Sequence, residues 1–318
     1  MSELEKAWDW REKRGILAEN EAVRVFHGPG EGSGPLRQLA IDRFGSHFWV
    51  TQWESVQKGA STSGRENVIE FLREKNALSA VALWRPEKGI PSEPQVLFGS
   101  PPENGLTVRE NGARYRVRFR ETRHPGLFLD HAPLREWLKR RSRSWKVLNT
   151  FAYTGSLSIA AGLGGADHVT TLDLSRSTVE WARDNWALNE LPESNAEFIA
   201  GDFFEWLPRF ERSKRRFDCI ILDPPSFSRG KKGNFSTAKD LKALHELAMR
   251  CLAPHGVLAT SINSANVTWA KFEGDVASAA RATGLSFEEL WRIDLPETFP
   301  TRIGNLNDRY LKGWVLKS

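Results

Sequence analysis

The chain has 318 residues, 40% of them hydrophobic, and its 45 Lys and Arg against 40 Asp and Glu leave a net charge of +5. That length supports one large domain or two smaller ones. No run of 18 apolar residues occurs, and MSELEKAWDWREKRG is charged from the third residue, so neither a membrane span nor a signal peptide is expected. Cys219 and Cys251, without CxxC spacing, exclude a disulfide framework or zinc ribbon and point to a reducing cytoplasm. The histidines show no metal-ligand spacing, so no metal is expected, and the oligomeric state is not legible.

Residues 1–120 carry short apolar pieces: AVRVF (22–26), QLAIDRF (38–44), HFWVTQW (47–53) and AVALW (80–84). Gly/Pro/Ser-rich stretches separate them, and a helix is expected around GRENVIEFLREKNA (64–77), which reads as a small β-rich or α+β domain. HGPGEGSGP (27–35) lacks the Lys-Ser/Thr ending of a phosphate loop and is expected to be a hairpin tip. In ARYRVRFRETRH, Arg114, Arg116, Arg118 and Arg120 alternate with Tyr115, Val117 and Phe119. On a strand that pattern puts the arginines on one face, either simply solvated or tracking a phosphate backbone. Further cations cluster at 139–146, 209–217 and SRGKK (228–232), the last holding Lys231 and Lys232.

From about residue 121 the rhythm changes to strand–helix alternation. Expected in order are helix 132–141, strand 146–152, helix 156–165, strand 168–175, helix 177–190, strand 196–202, a helix in FFEWLPRF, strand 217–223, helix 237–252, strand 256–262, helix 275–284 and a strand in 308–317. Repeated βα units of this length imply a parallel sheet covered on both faces, with ligands outside the carboxyl ends of its strands.

The polar residues gather at those ends. The first strand runs into NTFAYTGSLS, where Gly155 lets backbone approach a ligand before a helix N-terminus, although no GxGxxG is present. The second ends in TLDLS: Asp173 suits ribose hydroxyls or could cap the next helix, a task that Ser175 or Ser177 with Glu180 could take instead. The third ends in AGDFFEWL, where Asp202 suits a purine amino group or a helix cap, with Phe203 beside it for ring packing. The fourth ends in LDPPSFSRGKKG, where prolines stop the ladder and leave Asp223, Pro224, Pro225 and Phe227 as a rigid lip before a cationic loop.

This order resembles class I S-adenosylmethionine-dependent methyltransferases. GLFLDHAPLREWL (126–138), the stretch from VLNTFAYTGS to RDNWALNE (147–190) and DPPSFS (223–228) are most similar to bacterial 23S rRNA methyltransferases. Among these the domain forming N7-methylguanosine is nearest, and the 5-methylcytosine group is more distant. The β-rich part resembles the small domain that precedes the catalytic domain in the cytosine enzymes, whose usual PUA-type module has no room here. The resemblance implies a Rossmann-like domain over 121–318 with a seven-stranded sheet whose last strand is antiparallel. It implies S-adenosylmethionine as cofactor, with Tyr153, Thr154 and Gly155 at its methionine end, Asp173 on the ribose, Asp202 on the adenine, and Phe128 and Asp130 closing over it.

Cytosine C5 methylation needs a thiolate nucleophile. The lip and the stretch TSINSANVT (260–268) contain no cysteine, and Cys219, inside a strand, reads as core. The chemistry expected is transfer to a nitrogen of an RNA base, guanine favoured, with Asp223 and the proline-fixed backbone orienting the nitrogen and Phe227 stacking on the base. Asn263 and Asn266 could reach the base edge or form an ordinary polar loop. The alternatives are a methyltransferase of tRNA or of a protein amide, and a nucleic-acid-binding protein with a vestigial cofactor site.

Overall fold

A computed structural model of the chain describes residues 1–54, 62–86, 92–120, 123–230, 233–264, 266–304 and 309–318. It divides into two compact units, Met1–Ala132 with Leu295–Asp308, and Pro133–Asp294 with Arg309–Ser318.

In the first unit a capping box starts helix α1 (Glu3–Glu12): the Ser2 hydroxyl accepts from the Glu5 amide at 3.2 Å and the Glu5 carboxylate from the Ser2 amide at 2.7 Å. Strand β1 (Ala22–His27) is followed by a short helix α2 (Gly28–Glu31) and a 3₁₀ turn, Gly34–Gln38, then by β2 (Leu39–Phe44) and β3 (His47–Glu54). Helix α3 (Thr62–Glu74), β4 (Ser79–Pro86) and β5 (Gln95–Gly99) complete a five-stranded sheet in sequence order. Only the β3–β4 pair is parallel, because a helix crosses between those strands. Phe26, Ile41, Phe48 and Leu72 form its core with Leu4 and Trp8 of α1. A separate ribbon pairs β6 (Leu106–Glu110) with β7 (Ala113–Val117).

The hairpin tip expected at 27–35 is instead this helical turn. The Glu31 carboxylate explains it, accepting from the His27 amide at 2.7 Å and gripping Arg11 with both oxygens, at 2.8 and 3.0 Å. The division between units falls after residue 132 rather than after 120. The stretch before it folds back, with the Arg118 amide donating to the Pro125 carbonyl at 2.9 Å. Residues 295–308 also join the first unit, where Arg11 donates to the Thr298 carbonyl at 2.8 Å.

After α4 (Ala132–Arg141) the second unit alternates as expected: β8 (Lys146–Thr150), α5 (Ser156–Leu163), β9 (His168–Asp173), α6 (Arg176–Leu188), β10 (Ala196–Ala200), α7 (Phe203–Arg212) and β11 (Phe217–Leu222). A hairpin of β12 (Phe227–Gly230) and β13 (Gly233–Ser236) precedes α8 (Thr237–Met249), β14 (Leu252–Asn263), α9 (Trp269–Thr283), β15 (Glu288–Arg292) and β16 (Leu311–Lys317). The seven-stranded sheet has the order β10-β9-β8-β11-β14-β16-β15. Its first five strands are parallel, and β16 is antiparallel to both neighbours. This is the Rossmann-like architecture with an inserted antiparallel last strand.

Most boundaries fall within a few residues of expectation. The first strand stops at Thr150 because Phe151 and Tyr153 adopt φ of 53° and 50°. Helix α9 begins six residues early, at Trp269 rather than 275, because the Thr268 hydroxyl caps it by accepting from the Lys271 amide at 3.2 Å. No helix among the described residues is long and apolar enough to cross a membrane.

Candidate active site

The strand order reverses between β8 and β11, and a crevice opens at the carboxyl ends of such a pair. Thr150, the last residue of β8, is in register with Leu222, the last of β11, and its hydroxyl donates to the Ile221 carbonyl at 2.8 Å. The turn 151–155 and the lip 223–227 therefore start side by side, about one strand spacing (~4.8 Å) apart.

The turn packs closely on α6. Gly155 has φ 75°, and a Cβ there would lie 2.7 Å from the Ala182 Cβ of α6, so any larger residue would push α6 off the turn. Asn185, fully buried on α6, donates from Nδ2 to the Thr154 carbonyl at 3.0 Å and fixes the turn from below. The Tyr153 ring lies 6.3 Å from Trp181, and burial, with the Asp173 carboxylate nearby, pushes its phenol well above the ordinary range.

Asp173 at the tip of β9 organises this turn. Its Oδ2 accepts from the Tyr153 amide at 2.8 Å, and its Oδ1 accepts from the Ser175 amide at 2.9 Å and the Thr178 hydroxyl at 3.1 Å. Ser175 caps α6, accepting from the Thr178 amide, so Asp173 is not that cap. A carboxylate offers about four lone-pair positions, which leaves Oδ2 room for a further donor. Asp202, by contrast, does cap a helix: its Oδ1 accepts from the Phe204 amide at 2.8 Å at the start of α7.

Phe203 departs from expectation. Its ring is 4% exposed and packs in the core against Phe151, centroids 5.1 Å apart, so it offers no face to a ligand. The half-buried Phe151 and Phe204 pack on it, and both in turn meet Phe235.

On the acceptor side the Ser261 hydroxyl of β14 donates to Asp223 Oδ1 at 2.7 Å. Ser226 donates to the Asn263 carbonyl at 2.9 Å, and its own carbonyl accepts from the Thr237 amide at 3.3 Å. Pro224 is buried, whereas Pro225 and Ser226 are exposed and the Phe227 ring is 52% exposed. The stretch expected as a loop after this lip is the β12–β13 hairpin, and Lys231 and Lys232 lie outside the described residues. The side chains of Asn263, whose carbonyl binds Ser226 of the lip, and of Asn266 are exposed.

Both cysteines are buried: Cys219 within β11, its thiol pushed up by burial, and Cys251 after α8, pushed up to about 11 chiefly by burial. Neither stands at the lip. Phe128 and Asp130 belong to the first unit, where Phe128 stacks on His124 at 3.8 Å and Asp130 Oδ1 is 3.1 Å from His131 Nδ1. The arginine strip keeps its alternation there: Tyr115, Val117 and Phe119 are buried, Arg114, Arg116 and Arg118 are half-buried and Arg120 is exposed, 3.7 Å from Glu103.

Ser261 and Asn185 escaped the sequence reading. Ser261 was marked only by its place in the alternation of a strand end, and Asn185 by its spacing of four from Asn189, whose Nδ2 donates to the Asn185 carbonyl at 2.8 Å.

A family model described as S-adenosylmethionine-dependent methyltransferase matches residues 23–305. YwbD of Bacillus subtilis, named for ribosomal RNA large subunit methylation, is 32% identical over 100% of this chain and 80% of its own length. Ribosomal RNA large subunit methyltransferase I of Aeromonas salmonicida is 32% identical over 97% of this chain and 78% of its own. Methyltransferase K/L of Pseudoalteromonas atlantica is 34% identical over 83% of this chain, which spans only 37% of that relative. The crystal structure of SMU.776, a methyltransferase complexed with SAH, superposes with a TM-score of 0.88 at 26% identity over 99% of this chain and 80% of that one.

Proposed function

The chain belongs to the S-adenosylmethionine-dependent methyltransferase family, and on that footing we propose that it methylates a nitrogen of a base in large-subunit ribosomal RNA, guanine favoured. The RNA substrate rests on the names of the relatives. The choice of nitrogen rests on one observation: the acceptor lip carries Asp223, two prolines and an exposed Phe227, while both cysteines of the chain are buried elsewhere.

The cofactor's residues fit. The Gly155 turn opens a helix N-terminus whose backbone amides suit a ligand, and Asp173 Oδ2 keeps an acceptor position suited to a ribose hydroxyl. Asp202 caps α7 through Oδ1 and would accept an adenine amino group through Oδ2. Bound S-adenosylmethionine supplies an electrophilic methyl group on a sulfonium.

The chain's own residues do the remaining work by placement. Pro224 and Pro225 fix φ, so the lip spends no motion on acceptor binding. Asp223, held by Ser261, accepts from an N–H of the base and orients it, and Phe227 stacks on the ring. For a ring nitrogen such as guanine N7 no proton leaves, and alignment alone suffices. The strip Arg114, Arg116, Arg118 and Arg120 is proposed to track RNA phosphates.

Nucleoside mass spectrometry of 23S rRNA from a deletion strain tests this reading. Loss of one N-methylated nucleoside, restored by the wild-type chain and not by Asp223→Ala, is expected; loss of a C5-methylated pyrimidine would overturn it.

A further inference from the structure

Beyond the lip, the acceptor half of the sheet carries a second polar surface at the same edge. β15 is antiparallel to β16, which is antiparallel to β14, so β15 runs parallel to β14 and ends at the ligand-binding edge. Its last residue, Arg292, pairs with Trp314, which pairs with Thr260, one residue short of Ser261 and its bond to Asp223. Arg292 thus sits at the height of the lip, three strands over, about 14 Å away.

Its guanidinium carbon lies over the Trp269 ring, 3.9 Å from the centroid. Trp269 is the first residue of α9, just after the exposed Asn266, and it is wedged edge-on against Trp314 at 5.1 Å, while Trp314 stacks on Phe272 at 4.9 Å. This aromatic stack is rooted in the core, where Phe272 is 0% exposed. An exposed arginine ordinarily swings freely or pairs with an acid. Arg292 has no carboxylate within ion-pairing distance among the described residues; it is exposed and lies over an aromatic face, a contact that restricts the side chain and does not consume its N–H donors.

We propose that Arg292, immobilised on Trp269, binds a phosphate of an unpaired nucleotide flanking the target base, so that the RNA strand leaves the lip past Asn263 and Asn266 and over the N-terminal end of α9. A planar fork of fixed orientation suits phosphate oxygens, and fixing it beforehand lowers the entropic cost of binding. The site rests on the RNA reading above, yet its role differs from that of the lip: it contributes affinity and strand direction, not alignment of the reacting nitrogen. It also differs from the strip 114–120, which lies in the other unit.

The test uses the full chain with a 12-nucleotide single-stranded RNA and a 23S rRNA transcript, titrated across a series of salt concentrations, with SAH affinity measured in parallel. Arg292→Gln is expected to weaken RNA binding several-fold and to reduce the slope of log K against log salt by about 0.7, the value for one single-strand phosphate contact. SAH affinity should be unchanged. Arg292→Lys keeps the charge but not the flat fork, so it should retain the slope while losing part of the affinity. An unchanged slope and affinity in Arg292→Gln, with wild-type RNA binding intact, overturns this site alone. Absence of RNA binding by the wild-type chain overturns it together with the RNA reading.

Discussion

Asp173 and Asp223 are both carboxylates at strand ends, yet their surroundings separate them. Asp173 accepts three hydrogen bonds from the turns on either side of it, and two of those come from backbone amides. Asp223 has the Ser261 hydroxyl beside it and faces the exposed lip. Replacing Asp173 by Asn turns one acceptor oxygen into a donor that clashes with an amide, at a cost of about 1.5–3 kcal/mol for a hydrogen bond to a charged group. SAH affinity, read by calorimetry, should then fall roughly 10- to 100-fold. Asp223→Asn should leave SAH affinity within about two-fold and lower single-turnover methylation on the order of 100-fold, because a misoriented acceptor carries a penalty of that size. Should both variants lose cofactor affinity equally, the division of labour between the two strand ends is wrong. Gly155→Ala belongs to the same scale. At φ 75° and 2.7 Å from Ala182 the new Cβ has no place, and a loss of at least about 1–2 kcal/mol in urea unfolding is expected.

At the scale of elements, the most telling feature is the seating of residues 298–302 in the first unit. Arg11 is 0% exposed and donates to the carbonyls of Ala7, Arg24 and Thr298 as well as gripping Glu31. A Cβ on Gly30 would fall on the Pro300 carbonyl, and Arg24 lies 4.1 Å over the Phe299 ring. Arg11→Met should destabilise this unit by about 3 kcal/mol, the lower end for breaking a buried pair, since it removes the cation from a half-buried Glu31 that keeps only the His27 amide. The double variant Arg11→Met/Glu31→Leu should recover part of that loss; a thermal-denaturation cycle that is simply additive would mean the pair does not act as a unit.

None of this was legible in the sequence, because side chain to carbonyl bonds between residues 11 and 298 leave no local pattern. The second unit was legible because each βα repeat carries its own period, and the polar strand ends stand out against apolar strands. Phe203 shows a signal that was present and overlooked. Phe203, Leu207 and Phe210 recur at helical spacing and are all buried, so the period of α7 assigns Phe203 to the core before any ligand is considered. Asp202 followed by Glu205 likewise has the spacing of a helix start, and capping is the role that Oδ1 takes.

For the molecule as a whole, buried neutral histidines contribute to the loss of stability in acid. His245 on α8 has Nδ1 2.7 Å from the Leu241 carbonyl and Nε2 2.8 Å from the Thr260 hydroxyl, so the neutral ring donates at one nitrogen and accepts at the other. Burial holds its pKa down to about 4 against an ordinary 6.5. His27, 1% exposed, is held down to about 3 by burial and by the charges of Arg24 and Arg11. In each case the unfolded chain takes up a proton that the fold refuses. The stability these histidines confer is therefore fully present above pH 6.5 and is lost as pH falls toward the folded values. Each contributes a slope of about 1.4 kcal/mol per pH unit within its window. Carboxylates add their own losses at low pH, so the informative quantity is a difference between proteins. Urea unfolding of wild type and His245→Gln at half-unit steps from pH 7.5 to 4 should give curves that run parallel above pH 6.5 and converge below it, because the variant lacks one of the protons that pull wild type apart. Curves that stay parallel down to pH 4 would mean that His245 takes up its proton within the fold and plays no part in the acid transition.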